Sequence, residues 1–194
     1  MLLYIMATPR ERMITSTALL IRERGAHSTA ISDVLEHSGA PRGSAYHHFP
    51  GGRTQLLAEA VDFAADYVAA QIDGATSALE ALDAVVTGFR RALLESDFRA
   101  GCPVVAVAVE ADNLPVLDRA GAAFVRWTDL IVSRLVSEGV TSPRARELAV
   151  FLTSAIEGAI VIARATRDVG PLDSTHRQLR ALVEAERGSA RHDR

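Results

Sequence analysis

Lysine is absent from the chain: all 21 Lys+Arg positions among its 194 residues are arginine. That removes phosphate loops ending in Gly-Lys-Ser/Thr, Schiff-base lysines and kinase-type lysines, and the patterns GxSxG, HExxH and CxxC are missing as well. Most familiar enzyme chemistries therefore have no residues to carry them, and no catalytic site is expected. The single cysteine, Cys102, cannot make an internal bridge and suits a reducing compartment. Long hydrophobic runs are also lacking. The stretch 102–109 falls far short of the roughly 18–20 apolar residues that cross a bilayer, and the opening MLLYIM has no basic leader. A cytoplasmic protein with no membrane partner is the expectation. Aromatic residues make up only 5% of the chain, which argues against a broad multidrug pocket.

What is present is the profile of a soluble globular protein, 48% hydrophobic and 23% charged. Charge is unevenly placed. Residues 1–54 hold six arginines against four acids, giving +2, and residues 55–194 hold 15 against 20, giving −5, which sums to the net −3. A basic head on an acidic body is a weak pointer to a polyanion-facing end.

Nearly every segment reads as helix. Helical spacing between breakers predicts spans at about 9–24, 30–38, 41–49, 53–73, 76–97, 103–111, 115–138, 143–167 and 172–187, with no alternating strand pattern, so the fold class is all-α. Thr8 with Pro9 should open the first helix and Gly25 should close it. Its inner stripe is Ile14, Ala18 and Ile21, widened by Met13 and Leu20. Thr29 is the expected cap of the second helix, whose inner face carries Ile31, Val34 and Leu35. The domain reading is a head over 1–54, a body over 55–187 and a flexible tail over 188–194.

Two short helices joined by a tight turn and preceded by a longer one are the parts of a helix-turn-helix DNA reader. At ~100° per residue the third helix places Arg42, Ala45, Tyr46 and Phe49 on one side, and Gly43, Ser44, His47 and His48 on the other. Ala45 and Phe49 supply a packing face. The opposite face could enter a major groove, or it could be the solvated side of a packing unit. Neighbouring His47 and His48 diverge by ~100° and cannot share an ion, so no metal is expected.

The run HSTAISDVLEHSGAPRGSAYHHFPGGRTQLLAEAV, residues 27–61, resembles the DNA-binding signature of the TetR/AcrR family of transcriptional regulators. The loop FPGG and the later GCPVVAVAVEA, residues 101–111, are similar to its LmrA/YxaF-like, QacR-related branch. The resemblance implies a homodimer with an N-terminal three-helix DNA-binding domain. It also implies a C-terminal helical domain that binds a small-molecule effector and releases a pseudo-palindromic double-stranded DNA operator. No cofactor is implied. Carried over residue by residue, it assigns Arg42, Gly43, Ser44, Tyr46, His47 and His48 to DNA contact, with Thr29 and Ser32 approaching from the second helix. Arg53 stands where the family places a lysine that meets phosphate. Ala45, where the family has a larger apolar residue, and Ala30, where it has Ser or Thr, depart from the pattern.

In the body, 148–163 is apolar nearly all round, so both sides of that helix must be covered. A small-residue stripe of Ala155, Gly158, Ala159 and Ile162, with Leu148 and Leu152, is the expected dimer seam, completed by Leu179, Leu182 and Val183 of the last helix. A central helix buried in a monomer is the alternative. Expected effector contacts are Phe89, Phe98, Cys102, Val105, Val109, Phe124, Trp127 and Phe151, with Glu110 and Glu157 as acids set in apolar surroundings. The reading is a ligand-responsive regulator, a repressor in the first instance. An all-helical enzyme or small-molecule carrier with purely structural N-terminal helices is the rival.

Overall fold

A computed structural model describes residues 7–111 and 113–192, the side chains as far as Gly188. The expectations for MLLYIM and for Asp193 and Arg194 lie outside the described residues. Nine helices follow one another among those described: α1 (Pro9–Arg24), α2 (Ile31–Ser38), α3 (Ser44–His48), α4 (Gly52–Gly74), α5 (Ala78–Glu95), α6 (Pro103–Glu110), α7 (Leu114–Ser137), α8 (Ser142–Thr166) and α9 (Gly170–His192). They form two compact units. The first holds Met1–Ala65 and Cys102–Ala123, the second Asp66–Gly101 and Phe124–Arg194. α4 thus gives its residues through Ala65 to the first unit, whereas the sequence reading began the body at residue 55.

α1 starts where a capping box can form: the Glu11 N–H donates to Thr8 Oγ1 at 3.2 Å, and Thr8 N–H donates back to Glu11 Oε2 at 2.7 Å. Those bonds from Thr8 hold the Glu11 carboxyl below its ordinary range. Gly25 ends the helix at φ 89°, a conformation that favours glycine. Met13, Ile14 and Leu20 of α1 pack with Val34, Ala40, Ala45, Phe49 and Leu56 into the core of the first unit. Ala45 is buried in this core. Arg10 lies over the Phe49 ring at 5.3 Å, one edge of this core.

α2 starts one residue later than predicted, because Ala30 and not Thr29 occupies the cap. The Thr29 hydroxyl instead donates to the Gly25 carbonyl at 2.8 Å, and the free Ala30 N–H is met by Asp33 Oδ2 at 3.3 Å. α3 is shorter than predicted, since residues 41–43 turn before it begins: both the N–H and the hydroxyl of Ser44 reach the Pro41 carbonyl, at 2.9 and 2.6 Å.

The second unit is built on α5, α8 and α9. Leu82, Val86 and Leu93 of α5 meet Leu148, Leu152, Ile156, Ala159, Ile160 and Ala163 of α8 and Leu172, Leu179 and Val183 of α9. Polar ties frame the seam between α5 and α9: Asp83 accepts from Arg180 and lies 2.7 Å from His176 Nε2. Burial raises the Asp83 carboxyl, but the bonds from Arg180 and His176 outweigh it and hold it low. Two left-handed residues, Asp97 and Phe98, follow the end of α5, as Phe98 N–H returns to the Leu93 carbonyl at 2.7 Å. α9 continues through 188–192, the first part of the expected tail, since no glycine turn or proline interrupts it there.

One exclusion drawn from run length needs correction. α8 contains an 18-residue window apolar enough, by length and composition, to cross a membrane, because its few polar residues are scattered. Its inner face fills the core just described.

Candidate functional site

The outer face of the helix-turn-helix is built by the packing of its inner face. Ala45 and Phe49 are buried, and this turns the remaining α3 side chains outward. Tyr46, 69% exposed, stands beyond the edge of the packed face, although the wheel places it on the packing side. Arg42, Gly43 and His47 are exposed, and Ser44 and His48 partly so. The His47 and His48 rings meet edge to face at 5.1 Å. Ser44 uses its proton on the Pro41 carbonyl, so it faces outward as an acceptor. Ser32, on α2, is also exposed.

Two of the residues assigned to DNA do something else. Thr29 is 1% exposed and its hydroxyl is turned inward, so it offers no side-chain contact at the surface. Arg53 reaches back across the first turn of α4 to the α1–α2 loop. Its Nε donates to the Thr29 carbonyl at 2.9 Å, and Nη2 donates to the carbonyls of Ala26 and, at 3.4 Å, of His27. It is first a clamp on that loop. Glu110, expected in the effector pocket, meets the same loop: its Oε2 accepts from the His27 N–H at 3.0 Å.

The second unit contains a narrow, predominantly apolar cavity with about 40 Å³ of free space. Phe89, Trp127 and Glu157 line it as expected, together with Val68, Ile72, Val85 and Leu82. Phe124 packs edge to face on Trp127 at 5.4 Å without itself forming the wall. The other expected contacts lie elsewhere. Phe98 packs into the core after its left-handed turn; Cys102, Val105, Val109 and Glu110 belong to the first unit. Val109 is 80% exposed, and Phe151 points away from the core at 54% exposed. Arg134 and Thr153 were missed. Arg134 lines the cavity on the Trp127 and Ile131 face of α7, and a spacing of four and then three residues could have revealed it. Its Nη2 donates to the Asp73 carbonyl at 3.0 Å, at the end of α4.

The stripe expected to form a dimer seam also needs correction. Leu148, Leu152, Ala159, Leu179 and Val183 are buried within the subunit and offer little surface to a partner. Leu152 is also cavity wall, and Ala155 and Leu182 pack partly against the core. The uncovered face of α8 carries Val150, Phe151, Ser154, Gly158, Val161 and Ile162, so only Gly158 and Ile162 of the expected residues lie fully on it. On α9 the outward stripe holds Ala181 and Ala185.

Residues 14–60 match the family Bacterial regulatory proteins, tetR family, and residues 78–178 match Transcriptional regulator LmrA/YxaF-like, C-terminal domain. An HTH-type transcriptional regulator of Mycobacterium tuberculosis (strain H37Rv) is 60% identical over 93% of this chain and 97% of its own length. LmrA of Bacillus subtilis, also named as an HTH-type transcriptional regulator, is 28% identical over 84% of this chain and 90% of its own. The crystal structure of a TetR transcriptional regulator from Legionella pneumophila shares the fold, with a TM-score of 0.78 at 18% identity over 90% of this chain and 96% of that one.

Proposed function

From the premise that the chain belongs to the TetR family of DNA-binding transcriptional regulators and carries its LmrA/YxaF-like C-terminal domain, we propose that it is a cytoplasmic, homodimeric repressor released from its operator by a small molecule. The observation that carries the reading is the outer face of α3, where Tyr46, His47 and Arg42 stand exposed over a packed Ala45 and Phe49. Imidazole edges can bond base edges, the tyrosine hydroxyl and the guanidinium suit phosphate oxygens, and Gly43 admits close approach. Ser32 and Ser44 add short polar contacts, with His48 at the margin. Arg53 contributes chiefly by holding the α1–α2 loop, with Nη1 the nitrogen available to a phosphate.

A second copy covers the apolar face of α8. A row containing Val150, Phe151, Val161 and Ile162 with Gly158 between them has too much exposed apolar surface for a helix left in water. Pairing α8 and α9 with their partners gives a four-helix seam and sets two α3 helices at a fixed spacing. The effector occupies the second unit's cavity, its apolar body against Trp127 and Phe89 and its polar groups toward Arg134, Thr153 and Glu157. For release, it must bind the arrangement with mismatched α3 spacing more tightly than the matched one.

Selection from a random duplex library tests this. The chain should enrich a pseudo-palindrome with half-sites about 34–36 Å apart, or a multiple, and bind it with steep salt dependence. Recovery of no motif at moderate salt would favour an all-helical carrier whose N-terminal helices are only structural.

A further inference from the structure

We propose that Glu110, the last residue of α6, is a positioning residue for DNA recognition: it fixes the loop that carries α2 and α3 while itself meeting no base or phosphate. The proposal rests on the assignment of α3 as the DNA-reading element. The loop from Gly25 to Ala30 is held by two charged side chains. Arg53 takes its carbonyls, at Thr29, Ala26 and His27, and Glu110 takes the N–H of His27 at 3.0 Å. Inside the loop, Thr29 closes the turn onto the Gly25 carbonyl. A cation on the carbonyls and an anion on an N–H are both charge-assisted, and together they fix the loop's position and tilt.

Gly25 shows how closely the carboxylate is seated. A methyl group at this position would collide with both oxygens of Glu110, and the φ of 89° independently disfavours any other residue. The loop delivers the chain straight into α2 at Ile31, and Val34 of α2 shares its core with Ala45 and Phe49 of the reading helix. A loop released on the Glu110 side therefore lets α2 shift and carries α3 with it.

Electrostatics alone predicts the opposite sign for removing this acid. A carboxylate in a DNA-binding unit repels phosphate, so its loss should tighten binding and steepen the salt dependence. The positioning role predicts that Glu110→Ala weakens binding of the duplex selected by the unmodified chain roughly tenfold to a hundredfold, the range for losing a charge-assisted hydrogen bond. The salt slope should be unchanged because no phosphate contact is lost, and the His27 amide should exchange faster with solvent. Glu110→Gln keeps an acceptor at the same reach, so it should bind within a few-fold of the unmodified chain and keep the His27 amide protected. This second variant carries the test if the alanine variant fails to fold.

Equal or tighter binding by Glu110→Ala with His27 exchange unaltered would overturn the proposal, as would a glutamine variant as weak as the alanine one. If the unmodified chain selects no duplex at all, the DNA-reading assignment fails and the proposal with it. If it selects one that Glu110→Ala binds equally well, the positioning role alone fails.

Discussion

Phe151→Glu should leave the subunit folded and abolish the dimer. The side chain is 54% exposed in the isolated subunit, so the substitution asks nothing of the subunit's own core. In the paired state, a glutamate at the centre of an apolar α8 seam is an unpartnered buried charge, costing about 3–5 kcal/mol. That is roughly two to three and a half powers of ten in the dimerisation constant. Sedimentation should show a monomer with unchanged helical content. Operator binding should fall by at least a comparable factor at concentrations where the unmodified chain is paired, because a single α3 holds only one half-site. Ala159→Glu provides the contrast: Ala159 is buried within the subunit beside Ile160 and Leu148, so its replacement should unfold the second unit and not merely separate subunits. A Phe151→Glu chain that sediments as a normal dimer would remove α8 from the interface.

Phe49→Ala should cost the first unit about 3–5 kcal/mol, the range for emptying a large aromatic from a packed core. Phe49 is 1% exposed and is the largest of the fully buried side chains. It closes the end of α3 against Leu56 and Met13, and its ring supports Arg10, which is also paired with Glu59 at 2.5 Å. The first unit has a small core, and a loss of this size is a large share of what a domain has in hand. Operator binding should disappear at ordinary temperature, while Trp127, in the second unit, keeps its native fluorescence. Retention of full operator affinity would mean that α3 is held by something other than the Phe49 contact.

The helices were legible because their ends are local chemistry. Thr8 and Glu11 are three residues apart, and Gly25 and Gly39 each end a helix with a positive φ. The inner and outer faces of α3 followed from a spacing of four between Ala45 and Phe49. Contacts across long stretches of sequence were not legible. Arg53 bonds carbonyls 24 to 27 positions upstream, and Glu110 meets an amide 83 positions away. In one dimension Arg53 looks like a free cation at a helix start, and Glu110 like an acid lost in an apolar run.

The seam was misplaced for a different reason. α8 is apolar on every side, so a wheel cannot say which face belongs to the subunit. Only the packing of α5 and α9 shows that Ala159 is inside and Phe151 outside. Phe98 was drawn toward the cavity by composition, since nothing in the sequence announces that Asp97 and Phe98 adopt left-handed backbone.

The claim that α3 reads bases is tested most directly by running the duplex selection in parallel with the unmodified chain and with His47→Ala. His47 is exposed and lies outside the core, so the variant should fold normally. The account predicts that both proteins enrich palindromes of the same half-site spacing, that the variant loses preference at one symmetric pair of positions, and that each such position loses about 1–3 kcal/mol of discrimination. Identical motifs with identical preferences at every position, obtained from a variant that still binds, would contradict it.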